Sequence, residues 1–209
     1  PPRREHADRS FRLELLSRAS TRSILLAVRT LCTLWLFVAL GCATAGPEPD
    51  PPTTVAEYAS LQVGATRTYN VRFPGQEGRL TVRTVKEEGG WYIDDRSGRM
   101  RLDGQGLRDP QRYLIRGPLV EGTEWRAVLS ASAVERYRIA SVGAPCSVAA
   151  GRFDDCLVVE SSIRRDADMS LEARWTWIKG VGLAQITTTA VLPAGRRPQT
   201  KQDLVHFDL

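Results

Sequence analysis

From Leu61 onward the chain alternates apolar and polar residues in short runs broken by turn-forming residues, the pattern of antiparallel β-structure. Ala65 to Phe73 sets Tyr69, Val71 and Phe73 against Thr68, Asn70 and Arg72, and Pro74 to Gly78 has the composition of a turn. Arg79 to Glu87 alternates Leu80, Val82 and Thr84 with charged residues. Short runs follow at Trp91–Ile93, Met100–Asp103, around Leu107 and at Tyr113–Ile115. Such strands lie too close together for crossover helices, so neighbours are expected to pair antiparallel. The second half continues in the same manner at 125–129, 134–141, 146–149, 156–163, 171–178, 184–191 and 202–209. In the 171–178 run, Leu171, Ala173, Trp175 and Trp177 share one face, and Glu172, Arg174 and Thr176 share the other. One apolar and one wet face is what an antiparallel sheet packed on one side requires. Helical periodicity is confined to a short amphipathic piece at Val55–Ser60, with room for a helix within Ser130–Glu135. The expected fold is all-β: a single curved antiparallel sheet or partial barrel over residues 57–209.

The N-terminal pattern is different. Thr30 to Leu40 is free of charge and follows Arg18, Arg22 and Arg29, and small Gly41 then precedes Cys42. A basic segment, a short apolar core and a small residue before a cut site describe a secretory signal. The run is too short for a spanning helix, which needs about 20 apolar residues. A buried core helix or a membrane anchor is the competing reading. The stretch Leu36–Cys42 resembles the lipobox of bacterial lipoproteins, although Ala39 and Leu40 stand where that pattern prefers Leu and then a small residue. The resemblance implies cleavage before Cys42 and a lipid on its new N-terminus. It also implies the outer membrane as destination, because Ala43 replaces the Asp that retains such proteins at the inner membrane. The only methionines are Met100 and Met169, so residues 1–27 read as an Arg-rich extension upstream of the signal proper. Residues 43–56 (ATAGPEPDPPTTVA) form a Pro-rich tether, extended at about 3.1 Å per residue. The expected organisation is a signal peptide with its extension over 1–41, a lipidated Cys and linker over 42–56, and the β domain over 57–209.

That division changes what the charge means. The chain carries a net +5, but the arginines at 3, 4, 9, 12, 18, 22 and 29 outweigh Glu5, Asp8 and Glu14 in the leader. About one positive charge remains beyond residue 41, so the basic composition is no argument for nucleic-acid binding. Cys32 leaves with the signal and Cys42 takes the lipid. Cys146 and Cys156 remain, ten residues apart, and an oxidising compartment favours a disulfide between them. A nucleophilic cysteine would need an activating base, and the mature chain offers only His206.

Leu61-Gln62-Val63-Gly64 and Leu119-Val120-Glu121-Gly122 share a Leu-x-x-Gly shape ahead of a strand with an aromatic residue. With Gly151-Arg152-Phe153 and Gly180-Val181-Gly182-Leu183, they resemble a loosely defined group of bacterial envelope proteins. The resemblance implies an antiparallel β domain and no particular reaction. Arg67 stands where that group has Trp. No P-loop, Gly-x-Ser-x-Gly elbow or His-x-x-x-His motif occurs, and zinc needs more N or S ligands than one His supplies. No cofactor or metal is expected. Paired carboxylates at Asp94–Asp95 and Asp154–Asp155 flank turn signals, where Asp is favoured for its local hydrogen bonds. Trp91, Trp125, Trp175 and Trp177 are expected in the core, with Trp175 and Trp177 also candidates to line an apolar groove. Outer-membrane lipoproteins of the LolB kind have such a groove on a curved half-barrel. The favoured expectation is therefore a non-enzymatic envelope module binding a lipid, a cell-wall component or a protein partner. The alternative is a hydrolase in which the fold brings Asp94, Asp95, Asp154 or Asp155 together.

Overall fold

The computed structural model describes residues 53–209. The expected signal peptide, Cys42 and nearly all of the expected tether lie outside the described residues. One short helix, α1 (Val55–Ala59), precedes twelve strands. The first six are β1 (Thr66–Phe73), β2 (Gln76–Glu88), β3 (Trp91–Asp94), β4 (Arg99–Asp103), β5 (Gly106–Arg108) and β6 (Tyr113–Arg116). The second six are β7 (Glu124–Ser130), β8 (Ala133–Val148), β9 (Gly151–Arg164), β10 (Ser170–Ile178), β11 (Gly182–Leu192) and β12 (Gly195–Asp208). All pairings are antiparallel, as the strand spacing predicts. The supposed turn at 74–78 is confined to Pro74 and Gly75, and Gln76 opens β2 opposite Phe73. Residues 130–135 form no helix: Ala131 and Ser132 are the turn of the β7–β8 hairpin, and Val134, Glu135 and Arg136 already belong to β8. The runs at 134–141 and 146–149 are one strand, bent by register shifts near Ile139, Ser141 and Ala144.

The strand order is β6-β5-β4-β3-β2-β1-β12-β11-β10-β9-β8-β7. Two six-strand meanders are joined where β1 pairs with β12, so the ends of the chain segment meet in the middle of the sheet. The sheet curls almost into a closed barrel. Its two edges, β6 and β7, are joined by residues 117–123, which include a cis Gly117–Pro118 bond. No backbone ladder closes this seam. A side chain bridges it instead: the Trp125 indole N–H donates to the Tyr113 carbonyl at 2.9 Å, while Trp125 stacks on Tyr137 of its own hairpin at 5.2 Å. The linker also docks on β8, with Gly122 N–H donating to the Ile139 carbonyl at 2.9 Å.

Hairpins of a meander turn alternately at the two ends of the barrel. The β10–β11 turn and the start of β1 share one end, and α1 closes it. Tyr58 is fully buried there and donates to Asp155 at 2.6 Å. Lys179 reaches Glu57 at 2.9 Å, and Arg67 donates to the carbonyls of Ser60 and Val181, both at 2.8 Å. Gly182, at φ 102°, is required at this junction: a Cβ there would meet an Arg67 guanidinium nitrogen at 3.0 Å and the Ala59 carbonyl at 3.2 Å.

Two clusters pack the domain. Leu107, Ile115, Trp125, Tyr137, Leu157, Val159 and Trp177 belong to the larger one, with Tyr58 of α1. Cys156, Ile178, Val181 and Leu204 belong to the second. Successive strand residues point to opposite faces, yet Cys156, Leu157, Val158 and Val159 are all buried, as are Thr176, Trp177 and Ile178. Both faces are covered there because the bent β8–β9 hairpin folds over the sheet. Ala149 N–H donates to the Asp203 carboxylate on β12 at 3.2 Å, and Phe153 meets Phe207 with ring centroids 6.3 Å apart. The Cys146–Cys156 disulfide ties this hairpin at its neck. Closing so short a loop contributes roughly 2–3 kcal/mol in the chain-entropy account.

Three buried phenols give a pH prediction. Burial pushes Tyr69 up to about 12. Burial, reinforced by the Asp155 carboxylate, raises Tyr58, and burial with Glu135 nearby raises Tyr137. A folded-state pKa above the unfolded value of about 10 contributes stability that is complete below that pH and is lost as pH rises through the folded value. Stability is therefore expected to hold up to about pH 10 and collapse between about 10 and 12. Tyrosinate absorbance should then appear together with loss of the β-sheet circular dichroism. Titration of all five tyrosines before any unfolding would contradict this.

Candidate functional site

The interior of the barrel is not filled along its whole length. Leu80 and Val82 from β2, Met100 from β4, Trp175 and Trp177 from β10 and Ile186 from β11 surround a cavity of about 740 Å³. The walls follow from period-2 alternation: Tyr69 faces Leu80 and Leu204 across β1, and Trp175 faces Ile186 and Val159 across β10. A bulge between Thr176 and Trp177 shifts the register against β11 by one residue, and both tryptophans still line the same cavity. Trp177 is 1% exposed, and its indole N–H has no hydrogen-bond partner. Trp175 is half-buried and its indole donates to Ser161 at 3.4 Å. Trp175 and Trp177, the two candidates for an apolar groove, both lie in this wall.

Apart from Arg67 on β1, whose guanidinium donates to the carbonyls of Ser60 and Val181, the charged lining is gathered on two loops. The β3–β4 turn supplies Asp94, Arg96 and Arg99, and the β5–β6 loop supplies Asp109 and Arg112. Asp94 and Asp109 organise their own loops. Asp94 accepts from the N–H groups of Arg96 and Gly98 at 2.8 and 2.7 Å, and Asp109 accepts from those of Gln111 and Arg112, both at 2.8 Å. Arg112 then leaves its own hairpin and pairs with Glu135 on β8, while also reaching Asp109 at 3.2 Å. Its guanidinium lies 5.9 Å from the Trp175 ring centre. Burial alone would lower the Arg112 pKa; Tyr137, Glu135 and Asp109 outweigh it and hold the guanidinium above its usual range. The Arg112–Glu135 pair thus straps the β5–β6 loop across the seam, beside the cavity.

Of the four carboxylates considered for hydrolysis, only Asp94 lines the cavity. Asp95 accepts from the Arg83 N–H at 3.1 Å within its turn. Asp155 accepts from Tyr58 and lies 3.5 Å from Lys179, fastening α1. Asp154 is exposed on β9. In the sheet, β3 and β9 are separated by five strands. Among the described residues no group of three or more His, Cys, Asp or Glu could hold a metal ion. Cys42 lies outside the described residues. The strap was missed in the sequence because its partners are 23 residues apart. Its one trace is Glu135 alternating onto the buried face with Tyr137 and Ile139.

No family model matches the chain, and no curated protein matches it in sequence. Two solved structures resemble it. One is from Bacteroides fragilis and is described as an exported protein with a YmcC-like fold; it is 10% identical, with a TM-score of 0.43 over 73% of this chain and 99% of that one. The other, described as a lipoprotein from Parabacteroides distasonis, is 10% identical, with a TM-score of 0.40 over 72% and 98% of the two chains.

Proposed function

We propose that this chain is a lipid-anchored protein of the bacterial envelope, held at the outer membrane through Cys42 and the tether, whose barrel binds the apolar tail of an amphiphile without converting it. The observation that carries this reading is the cavity of about 740 Å³ walled by Trp175, Trp177, Leu80 and Ile186, with its charges on two loops apart from Arg67, which backbone carbonyls hold. That size and mix of lining suit a small-molecule site. The lipobox-like Leu36–Cys42 stretch supports the anchor, and the Cys146–Cys156 disulfide fits an oxidising compartment. Each buried methylene contributes about 0.8 kcal/mol, so a chain of about ten methylenes offsets the cost of association. An apolar wall recognises such a tail better than it recognises a cell-wall sugar. The polar end then belongs near Arg96 and Arg99.

Brominated stearate tests this reading, because bromine quenches tryptophan only at close range. Titration should quench the fluorescence saturably at a one-to-one ratio. Ile186→Trp, which narrows the cavity at its apolar wall, should weaken that saturable phase while leaving the far-UV spectrum unchanged. Absence of saturable quenching in the native protein, or unchanged affinity in folded Ile186→Trp, would overturn the proposal.

A further inference from the structure

We infer that the outer face of β7–β10, remote from the cavity, is a binding site for a linear acidic polysaccharide, centred on Arg126 and Arg136. The outward positions of these strands form a grid of charges. Arg138 lies opposite Glu124 on one side and Glu160 on the other, and Arg174 also lies opposite Glu160. Glu160 is engaged by Arg138 at 3.2 Å and by Arg174 at 2.6 Å. Glu172 is engaged by Arg196 at 2.5 Å. The grid breaks at one place. Arg126 and Arg136 are direct cross-strand partners, with Ser162 as the next residue in the row. Both are exposed, and among the described residues neither makes an ion pair. Like charges directly opposite one another destabilise a sheet, and a Glu at either position would complete the alternation. An anion between the two guanidinium groups removes the repulsion, and each planar fork can hold a carboxylate or sulfate through two parallel hydrogen bonds.

The shape of the face selects among anions. Arginine side chains, interleaved with Glu124, Glu160 and Glu172, wall a concavity of about 1040 Å³, which crosses strands about 4.8 Å apart. Trp125 and Tyr137, the aromatic residues between the arginines, point inward and are 5% and 2% exposed. The groove therefore offers no ring on which a nucleic-acid base could stack and no apolar surface for an acyl chain. Its concavity does not suit a flat bilayer. A saccharide chain can set an acid between Arg126 and Arg136 and lay its hydroxyl groups along the flanking Arg138–Glu160–Arg174 pairs, which offer both donors and acceptors. The inference does not depend on the cavity reading.

The test uses the protein with polyuronate, phosphatidylglycerol vesicles and single-stranded DNA as probes, at several salt concentrations. Polyuronate is expected to bind most tightly, with affinity falling as salt rises. Arg126→Glu/Arg136→Glu should weaken it by at least about tenfold, whereas Arg79→Glu/Arg152→Glu, with the same change in net charge, should stay within about twofold. Single Arg126→Glu should weaken binding and also raise Tm, because it restores the alternating grid; this confirms that the fold survives. Equal weakening by the two double variants would reduce the effect to net charge. That result, tighter binding of vesicles or DNA, or no binding of polyuronate by the native protein would each overturn the inference.

Discussion

Replacing Trp177 by alanine is expected to destabilise the domain by about 3–5 kcal/mol, the range for emptying a large aromatic site in a core. Trp177 is the largest of the fully buried side chains and is 1% exposed. It packs in the cluster with Leu157, Val159 and α1 and also forms part of the cavity wall. Truncation would leave a void contiguous with a space that already exists, so the surroundings have little reason to collapse into it. Phenylalanine is the informative comparison. It retains most of the apolar volume and removes an indole N–H that is buried without a partner, and leaving such a donor unpaired costs about 1–3 kcal/mol. Trp177→Phe should therefore cost less than about half of what Trp177→Ala costs. Urea unfolding of both variants checks this. An alanine variant within about 1 kcal/mol of the native protein would show that Trp177 is not core.

Glu135→Ala is expected to cost about 2–3 kcal/mol, somewhat less than breaking a fully buried pair. The Glu135 side chain is 6% exposed, but that of Arg112 is 23% exposed, and solvent recovers part of the loss. The expected consequence is local as well as global. Without Glu135, Arg112 keeps only Asp109, on its own loop, so the β5–β6 loop loses its strap to β8. Amide exchange at Gln111–Tyr113 should accelerate more than exchange in β10. Replacing both Arg112 and Glu135 by methionine should recover much of the stability, because no unpaired charge then remains. If the double variant were less stable than Glu135→Ala, the pair would be contributing more than it costs to desolvate.

The strands were legible because each carries its own signal. Leu80 and Val82, or Trp175 and Trp177, reveal a face through local alternation, and the turns between strands announce themselves through Gly, Asp and Ser. The closure was not legible. That β1 pairs with β12, and that β6 and β7 meet without a ladder, depends on pairings across most of the domain, which leave no mark in any short window. Burial on both faces at Cys156–Val159 was visible only as an unusually apolar run, since what covers the second face is the distant hairpin tip around Phe153. The Ser130–Glu135 stretch misled for a local reason: a two-residue turn between polar-rich strand ends is too short to separate from one helical turn. The cavity itself was legible in part. Trp175 and Trp177 named one wall, but Leu80, Ile186 and the strap through Arg112 become neighbours only when the sheet curls. The Arg126–Arg136 contact has the same character, since two exposed arginines ten residues apart are ordinary until the register sets them side by side.

The central claim, that the barrel holds the tail of an amphiphile, is tested most directly by native mass spectrometry of the folded protein released gently from bacterial membranes. The account predicts a single bound amphiphile of lipid mass, removed by delipidation, restored by adding a fatty acid, and reduced in Ile186→Trp. A protein that carries no such adduct, and acquires none when delipidated material is offered fatty acid, would contradict it.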